Sequence, residues 1–182
     1  KADTVWKHAL KFFKKRGDAR TFVYLGTIDP HVAYNAPKPF KLKYRKKKYT
    51  GRLRPQATGV YLDKWKAAGR KPAFSKADQQ FFVDLYDGEI SYNDHVLGKA
   101  LAWLDETGRA QDTAVVILSD HGEEFFEHGT VGHGHTTRQV LTHVPCIVRW
   151  PGGLPAGKRV QADVEVMDFF PTLMDLVGGT TP

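Results

Sequence analysis

Apolar positions fall at helical spacing between residues 3 and 16. Val5, Trp6, Ala9, Leu10, Phe12 and Phe13 form a stripe with lysines opposite, and Gly17 supplies a stop. A basic amphipathic helix of this kind either lies on a membrane surface or covers a sheet, and a sheet is the expectation here. Phe22-Val23-Tyr24-Leu25-Gly26-Thr27 is a short apolar run rich in β-formers, which predicts a buried strand. Residues 32–60 carry early prolines and then a dense basic stretch from Lys41 to Arg54, which predicts a long functional or mobile loop. Ser75 to Gly108 is the longest helical signal. Ser75 can cap it, Phe82, Leu85, Tyr86, Ile90, Val96, Leu97, Leu101 and Leu104 keep roughly helical spacing, and Gly88 and Gly98 weaken it. A second buried strand is predicted over Thr113–Ser119, a third over Val144–Arg149, and a last short helix over Met167–Val177. Strands and helices alternate, so the predicted class is α/β with a largely parallel sheet flanked by helices.

Length and composition bound this picture without changing it. A chain of 182 residues with 41% hydrophobic and 12% aromatic content is long enough for one domain with a sizeable core. No apolar run approaches the roughly 18 residues of a membrane helix. The N-terminal Lys1-Ala2-Asp3-Thr4 has neither an initiator Met nor a signal-peptide pattern, so a processed or partial chain is expected. The lone cysteine, Cys146, lies in the predicted third strand and reads as an inert core residue. Charge is more informative. Residues 1–72 hold 20 Lys/Arg and 4 Asp/Glu, whereas residues 73–182 hold 7 and 16. The basic half could attract a nucleic acid, an anionic membrane or an anionic substrate, or be a solvated face docked on acidic parts of the same protein. The run at 41–54 matches no nucleic-acid motif, so no nucleic acid is expected.

The chemistry concentrates after the second strand. Ser119-Asp120-His121-Gly122 puts a carboxylate and an imidazole at the tip of an apolar strand, and both are good ligands for divalent cations. Gly122 would let the backbone turn sharply there. The plainer alternative is that Asp120 caps the next segment and His121 is a polar loop residue. Five of the eight histidines lie between residues 121 and 143, with His128, His133 and His135 interleaved among Gly129, Gly132 and Gly134. Such a loop suits an oxyanion or metal site better than a core. His31, leaving the first predicted strand, sits where ligands gather in open α/β sheets.

Four segments carry a resemblance. They are Val116-Ile117-Leu118-Ser119-Asp120-His121-Gly122-Glu123, Glu127-His128-Gly129, Gly132-His133-Gly134-His135, and Thr142 through Val144-Pro145-Cys146-Ile147-Val148-Arg149-Trp150-Pro151-Gly152. Together they resemble the sulfatase family of the alkaline-phosphatase-like superfamily. Tyr86–Ile90 with Asp94, Phe22–Tyr34 and Val166–Leu176 support it by order and spacing, so the resemblance covers most of residues 20–180. It implies that Asp120 and His121 are the second pair of ligands of a divalent cation, usually Ca2+ in sulfatases and Mn2+ or Zn2+ in phosphoryl-transfer relatives. It also implies that His31 contacts the ester group. His133 falls about where many members place a sulfate-binding lysine, which leaves His133 or His135 to donate a hydrogen bond or proton to the leaving oxygen.

The departures are equally specific. The family's nucleophile comes from a Cys/Ser-x-Pro-x-Arg motif, and none occurs in this sequence. The expectation is therefore a single partial catalytic domain over residues 1–182, the middle and later part of an alkaline-phosphatase-like fold. It would lack the N-terminal nucleophile region and the C-terminal subdomain, and would be inactive alone. The expected function is metal-dependent sulfate-ester hydrolysis, in company with the rest of the catalytic domain. A phosphodiesterase, phosphonate hydrolase or phosphoglycerol-type transferase is the close alternative, and a non-catalytic polyanion-binding module the distant one. The basic loop suggests an anionic substrate such as a sulfated glycan, and the resemblance implies a periplasmic or secreted setting.

Overall fold

The first helix, α1, spans Ala2–Arg16 and ends at Gly17, which takes φ 57°. A positive φ is unstrained only for glycine, so the predicted stop operates through backbone geometry. The computed structural model describes residues 1–71 and 73–180, and the chain folds as two compact units. One comprises residues 1–110 with 123–136. The other comprises residues 111–122 and those from 137 onward.

In the first unit, α2 (Thr58–Ala67) and the long α3 (Lys76–Glu106) carry the core. Ser75 caps α3 as anticipated, in a reciprocal capping box: its side chain accepts from the Asp78 amide while Asp78 accepts from the Ser75 amide. Phe81, Phe82 and Leu85 of α3 pack with Leu62 and Trp65 of α2, Tyr34, Leu53 and Val131. Each such apolar side chain contributes about 1.5–3 kcal/mol when fully buried. The 32–60 segment is less loop-like than its composition predicts. Tyr34, Ala36 and Leu53 are buried, Tyr49 stacks on Phe81 with ring centroids 4.0 Å apart, and Lys43 and Tyr44 both bond the Ser91 hydroxyl. Gly88 admits this crossing, because a β-carbon there would stand 2.7 Å from the Phe40 carbonyl oxygen. Helix α1 packs on α3, not on a sheet. Phe13 stacks on Trp103 at 5.0 Å and Trp6 meets it edge-on at 5.9 Å. Two short strands, β2 (Glu124–Phe125) and β3 (Val131–Gly132), close an antiparallel hairpin that the pattern did not announce.

The second unit contains β1 (Val115–Leu118), α4 (Gln139–Thr142), β4 (Cys146–Arg149) and α5 (Phe169–Leu176). The predicted second and third strands and the last helix all form. Their pairing is a correction, because β1 and β4 run antiparallel with Val115 opposite Arg149, not parallel. A two-stranded ladder leaves faces uncovered, so Cys146, expected in a core, is exposed. The predicted first strand is also corrected. Residues 22–27 form no ladder, and Phe22 and Tyr24 are more than four-fifths exposed. A strand needs a partner for its backbone groups, and no described residue supplies one here. The α/β class stands.

Candidate active site

His31 is held by anchors on both sides of it. The Asp29 carboxylate accepts the Ala2 amide at 2.9 Å and the Lys1 ammonium at 2.5 Å. Beyond His31, the Tyr34 amide donates to Thr58 Oγ1 at 2.8 Å and the Asn35 amide to Glu89 Oε1 at 2.6 Å. Burial pushes the Glu89 carboxyl up, and its bonds to Lys1 and Asn35 work against that rise. The His31 ring is oriented by its own strand of chain, Nδ1 lying 2.8 Å from the Val32 carbonyl.

His133 arrives from the hairpin. Glu124 organises that hairpin from within: fully buried, it accepts the His128 amide at 3.0 Å and bonds His135 Nε2 at 2.9 Å. Burial opposes ionisation of Glu124. Hydrogen bonds from the Thr130 and His135 side chains and from the His128 and Thr130 amides outweigh it and hold the carboxyl at about 2. His133 leaves β3 with Nδ1 3.0 Å from Glu123 Oε1, and Glu123 Oε2 accepts the hydroxyl of fully buried Tyr34 at 2.7 Å. Burial first, and the Glu123 carboxylate second, push the Tyr34 phenol far up, so it stays a donor. The imidazoles of His31 and His133 meet edge-to-face with centroids 4.9 Å apart. They line a cleft of about 220 Å3 together with Glu123, Gly132, Asp63 and Lys66.

Asp120 and His121 lie in the other unit, just past β1. Ser119 Oγ donates to the His121 carbonyl at 2.8 Å, Asp120 Oδ1 accepts the His121 amide at 3.0 Å, and His121 Nδ1 lies 2.7 Å from the Gly122 carbonyl. Gly122 is needed for closeness and not for a left-handed turn. Its amide donates to Leu141 O at 2.8 Å, and a β-carbon would overlap the Val140 carbonyl oxygen. Asp120 Oδ2 and His121 Nε2 stand 3.9 Å apart. Two ligands at roughly 2.0–2.6 Å from one divalent cation can span that separation, so the pair fits a shared ion. It is a partial set, since no cluster of three His, Cys, Asp or Glu able to hold a metal occurs among the described residues.

The structure thus joins His31 to His133, and Asp120 to His121. His135 is engaged with Glu124 and, at 2.8 Å, with Thr130 Oγ1. Sequence reading missed Glu123, Tyr34, Asp63 and Lys66. Glu123 had a visible signal, being contiguous with Asp120-His121-Gly122; Asp63 and Lys66 fall between the loop predicted at 32–60 and the helix predicted from Ser75, in a stretch whose pattern announced no element.

Known proteins resemble this chain in sequence and in fold. The multifunctional alkaline phosphatase superfamily protein PehA of Trinickia caryophylli is 27% identical over 195 residues, covering 97% of this chain and 38% of its own length. Steryl-sulfatase of Rattus norvegicus is 34% identical over 109 residues, covering 53% of this chain and 19% of its own. Among solved structures, a phosphonate monoester hydrolase from Silicibacter pomeroyi superposes with a TM-score of 0.76 at 27% identity, over 98% of this chain and 38% of that one. The chain therefore spans well under half the length of these relatives. The sulfatase family model matches from residue 1 to residue 179, and on that match the chain belongs to the sulfatase family.

Proposed function

We propose that this chain supplies the substrate cleft and half of the metal ligands of a sulfuric-ester hydrolase. The observation that carries the reading is the convergence of His31 and His133 on one cleft, with His133 fixed by Glu123. An imidazole whose Nδ1 is engaged by a carboxylate has its tautomer set, which leaves Nε2 chemistry for the ester or its leaving oxygen. Asp120 and His121 would hold the cation, Ca2+ in this reading. When bound, the cation neutralises charge on the ester oxygens. His31 orients the ester group, and His133, when both its ring nitrogens carry protons, provides the proton or hydrogen bond from Nε2 to the departing oxygen. The nucleophile comes from residues outside this sequence, because no Cys/Ser-x-Pro-x-Arg occurs within it. Alone, the 182-residue chain binds calcium weakly and turns over no ester.

Calcium titration followed through the amide signals of Asp120 and His121 tests the metal half. Saturable shifts with a Kd of roughly 1 mM or weaker are expected, lost in Asp120→Asn and His121→Ala. Signals that do not move through the millimolar range would refute ligation by this pair. Incubation with 4-nitrophenyl sulfate tests the other half: release of nitrophenol at a rate typical of an intact enzyme would overturn the need for an outside nucleophile. A second reading has a specific observation behind it. The likeness to a phosphonate monoester hydrolase favours phosphonate or phosphodiester substrates, with Mn2+ or Zn2+ at the same pair. Manganese or zinc displacing calcium at Asp120 and His121 with much higher affinity would favour it.

A further inference from the structure

Helix α2 brings two opposite charges to the His31–His133 cleft. Leu62 and Trp65 point into the core, and Asp63 and Lys66, each one residue further on, line the cleft. At a spacing of three residues, an acid and a base exposed on a helix can close an ion pair, worth about 0.2–0.5 kcal/mol. These two do not, and neither side chain has an ion-pair or hydrogen-bond partner among the described residues. The amine instead lies against Gly132, where an added β-carbon would meet Lys66 Nζ at 3.5 Å and Glu123 Oε1 at 4.0 Å. Gly132 takes φ 96°, a conformation that favours glycine, so the opening beside Lys66 is built into the backbone.

An ammonium left out of an ion pair beside a cleft is a binding point for an anion. A carboxylate left out of one, a single turn away, accepts protons from hydroxyl groups. A ligand that satisfies both carries an anionic substituent and hydroxyls within about 5 Å of each other, one helical turn. An apolar aryl or steroid group satisfies neither and leaves both charges partly desolvated, which is unfavourable. We propose that Asp63 and Lys66 form a specificity subsite for the leaving group, selecting a sugar that bears a second anionic group besides the ester. The word leaving group rests on the ester-hydrolase reading; the binding preference does not.

Affinities of the full 182-residue chain separate the two. The probes are N-sulfoglucosamine 6-sulfate with two anionic groups, N-acetylglucosamine 6-sulfate with one, and 4-nitrophenyl sulfate without a sugar, each followed through the His31 and His133 ring signals. The disulfated sugar is expected to bind tightest. Lys66→Gln should weaken it about tenfold and the other two less than twofold, the size of one lost charged hydrogen bond. Lys66→Arg should keep most of the affinity. Asp63→Asn should weaken both sugars and spare nitrophenyl sulfate. Equal loss for all three probes in Lys66→Gln would assign Lys66 to the hydrolysed group or to the fold, and would overturn the subsite. So would unchanged affinities, or failure of the unsubstituted chain to bind either sugar. None of these measurements involves turnover or the cation, so they stand apart from the hydrolase reading, whose failure would appear as calcium-insensitive signals at Asp120 and His121.

Discussion

The Val140 carbonyl passes so close to Gly122 that no β-carbon fits between them, and the contact is backbone to backbone, so nothing flexible can yield. Gly122→Ala is therefore expected to displace the Asp120–His121 turn and lower stability by about 1–3 kcal/mol, the usual cost of overpacking. Urea denaturation measures the loss, and the calcium-induced shifts at Asp120 and His121 should vanish with it. Glu124 makes a different demand. Its carboxyl is held at about 2 against an ordinary 4.5, so the folded state favours the ionised form. The sign follows: the contribution is fully present above about 4.5 and is lost as pH falls from there toward 2. Melting temperature should decline through that window, and Glu124→Gln should flatten the decline while lowering stability at neutral pH. An unchanged acid limb in Glu124→Gln would show that the hairpin does not depend on this carboxylate. Asp120 and His121 were legible as a pair because they are adjacent in sequence. Glu124 was not legible as an anchor, because its role comes from groups four to eleven residues away that only the hairpin gathers.

Helices were the readable part of this chain. Helix α3 announces itself by capping residue, apolar period and stop, all of which are local, and it forms from Lys76 to Glu106. Ser75→Ala should cost about 1 kcal/mol and raise amide exchange in the first turn of α3, whereas a stability change confined to the far end would contradict the capping account. Gly88→Ala separates propensity from packing. Alanine is the better helix former by roughly 1 kcal/mol, yet its β-carbon would press on the Phe40 carbonyl. Net destabilisation is expected, and a stabilised variant would mean that the 37–44 crossing is free to shift. Strands were less readable because a strand is a property of two segments. Phe22–Thr27 and Val115–Leu118 look alike in sequence, but among the described residues only the second finds a ladder partner, in Cys146–Arg149. Antiparallel pairing likewise follows from how the 119–145 connection returns, which no periodicity records. Helix α1 had the right stripe and the wrong expected partner, since aromatic side chains suit a helix such as α3 as well as a sheet.

Positive charge is gathered in residues 1–72, and the Arg45–Lys48 run is exposed in a unit that also holds the His31–His133 cleft. Exposed charges of one sign raise the local concentration of an oppositely charged ligand, and salt screens the effect over about 8–10 Å. A sulfated polysaccharide should therefore be retained by the chain at low ionic strength and released as salt rises. Replacing Lys46, Lys47 and Lys48 by glutamine should lower the eluting salt, while Asp120→Asn should leave it unchanged because that residue acts through the cation. The same run then distinguishes steering from simple adhesion. If the basic loop steers substrate, KM of the whole enzyme for a polymeric sulfate should rise with salt while kcat holds, and the triple variant should show a flatter salt response. If KM is indifferent to salt although the polysaccharide column still retains the chain, the basic segment is a polyanion-docking surface that does not feed the cleft. Specificity would then rest on the cleft-lining residues, Lys66 and Asp63 among them, and not on the field of the loop.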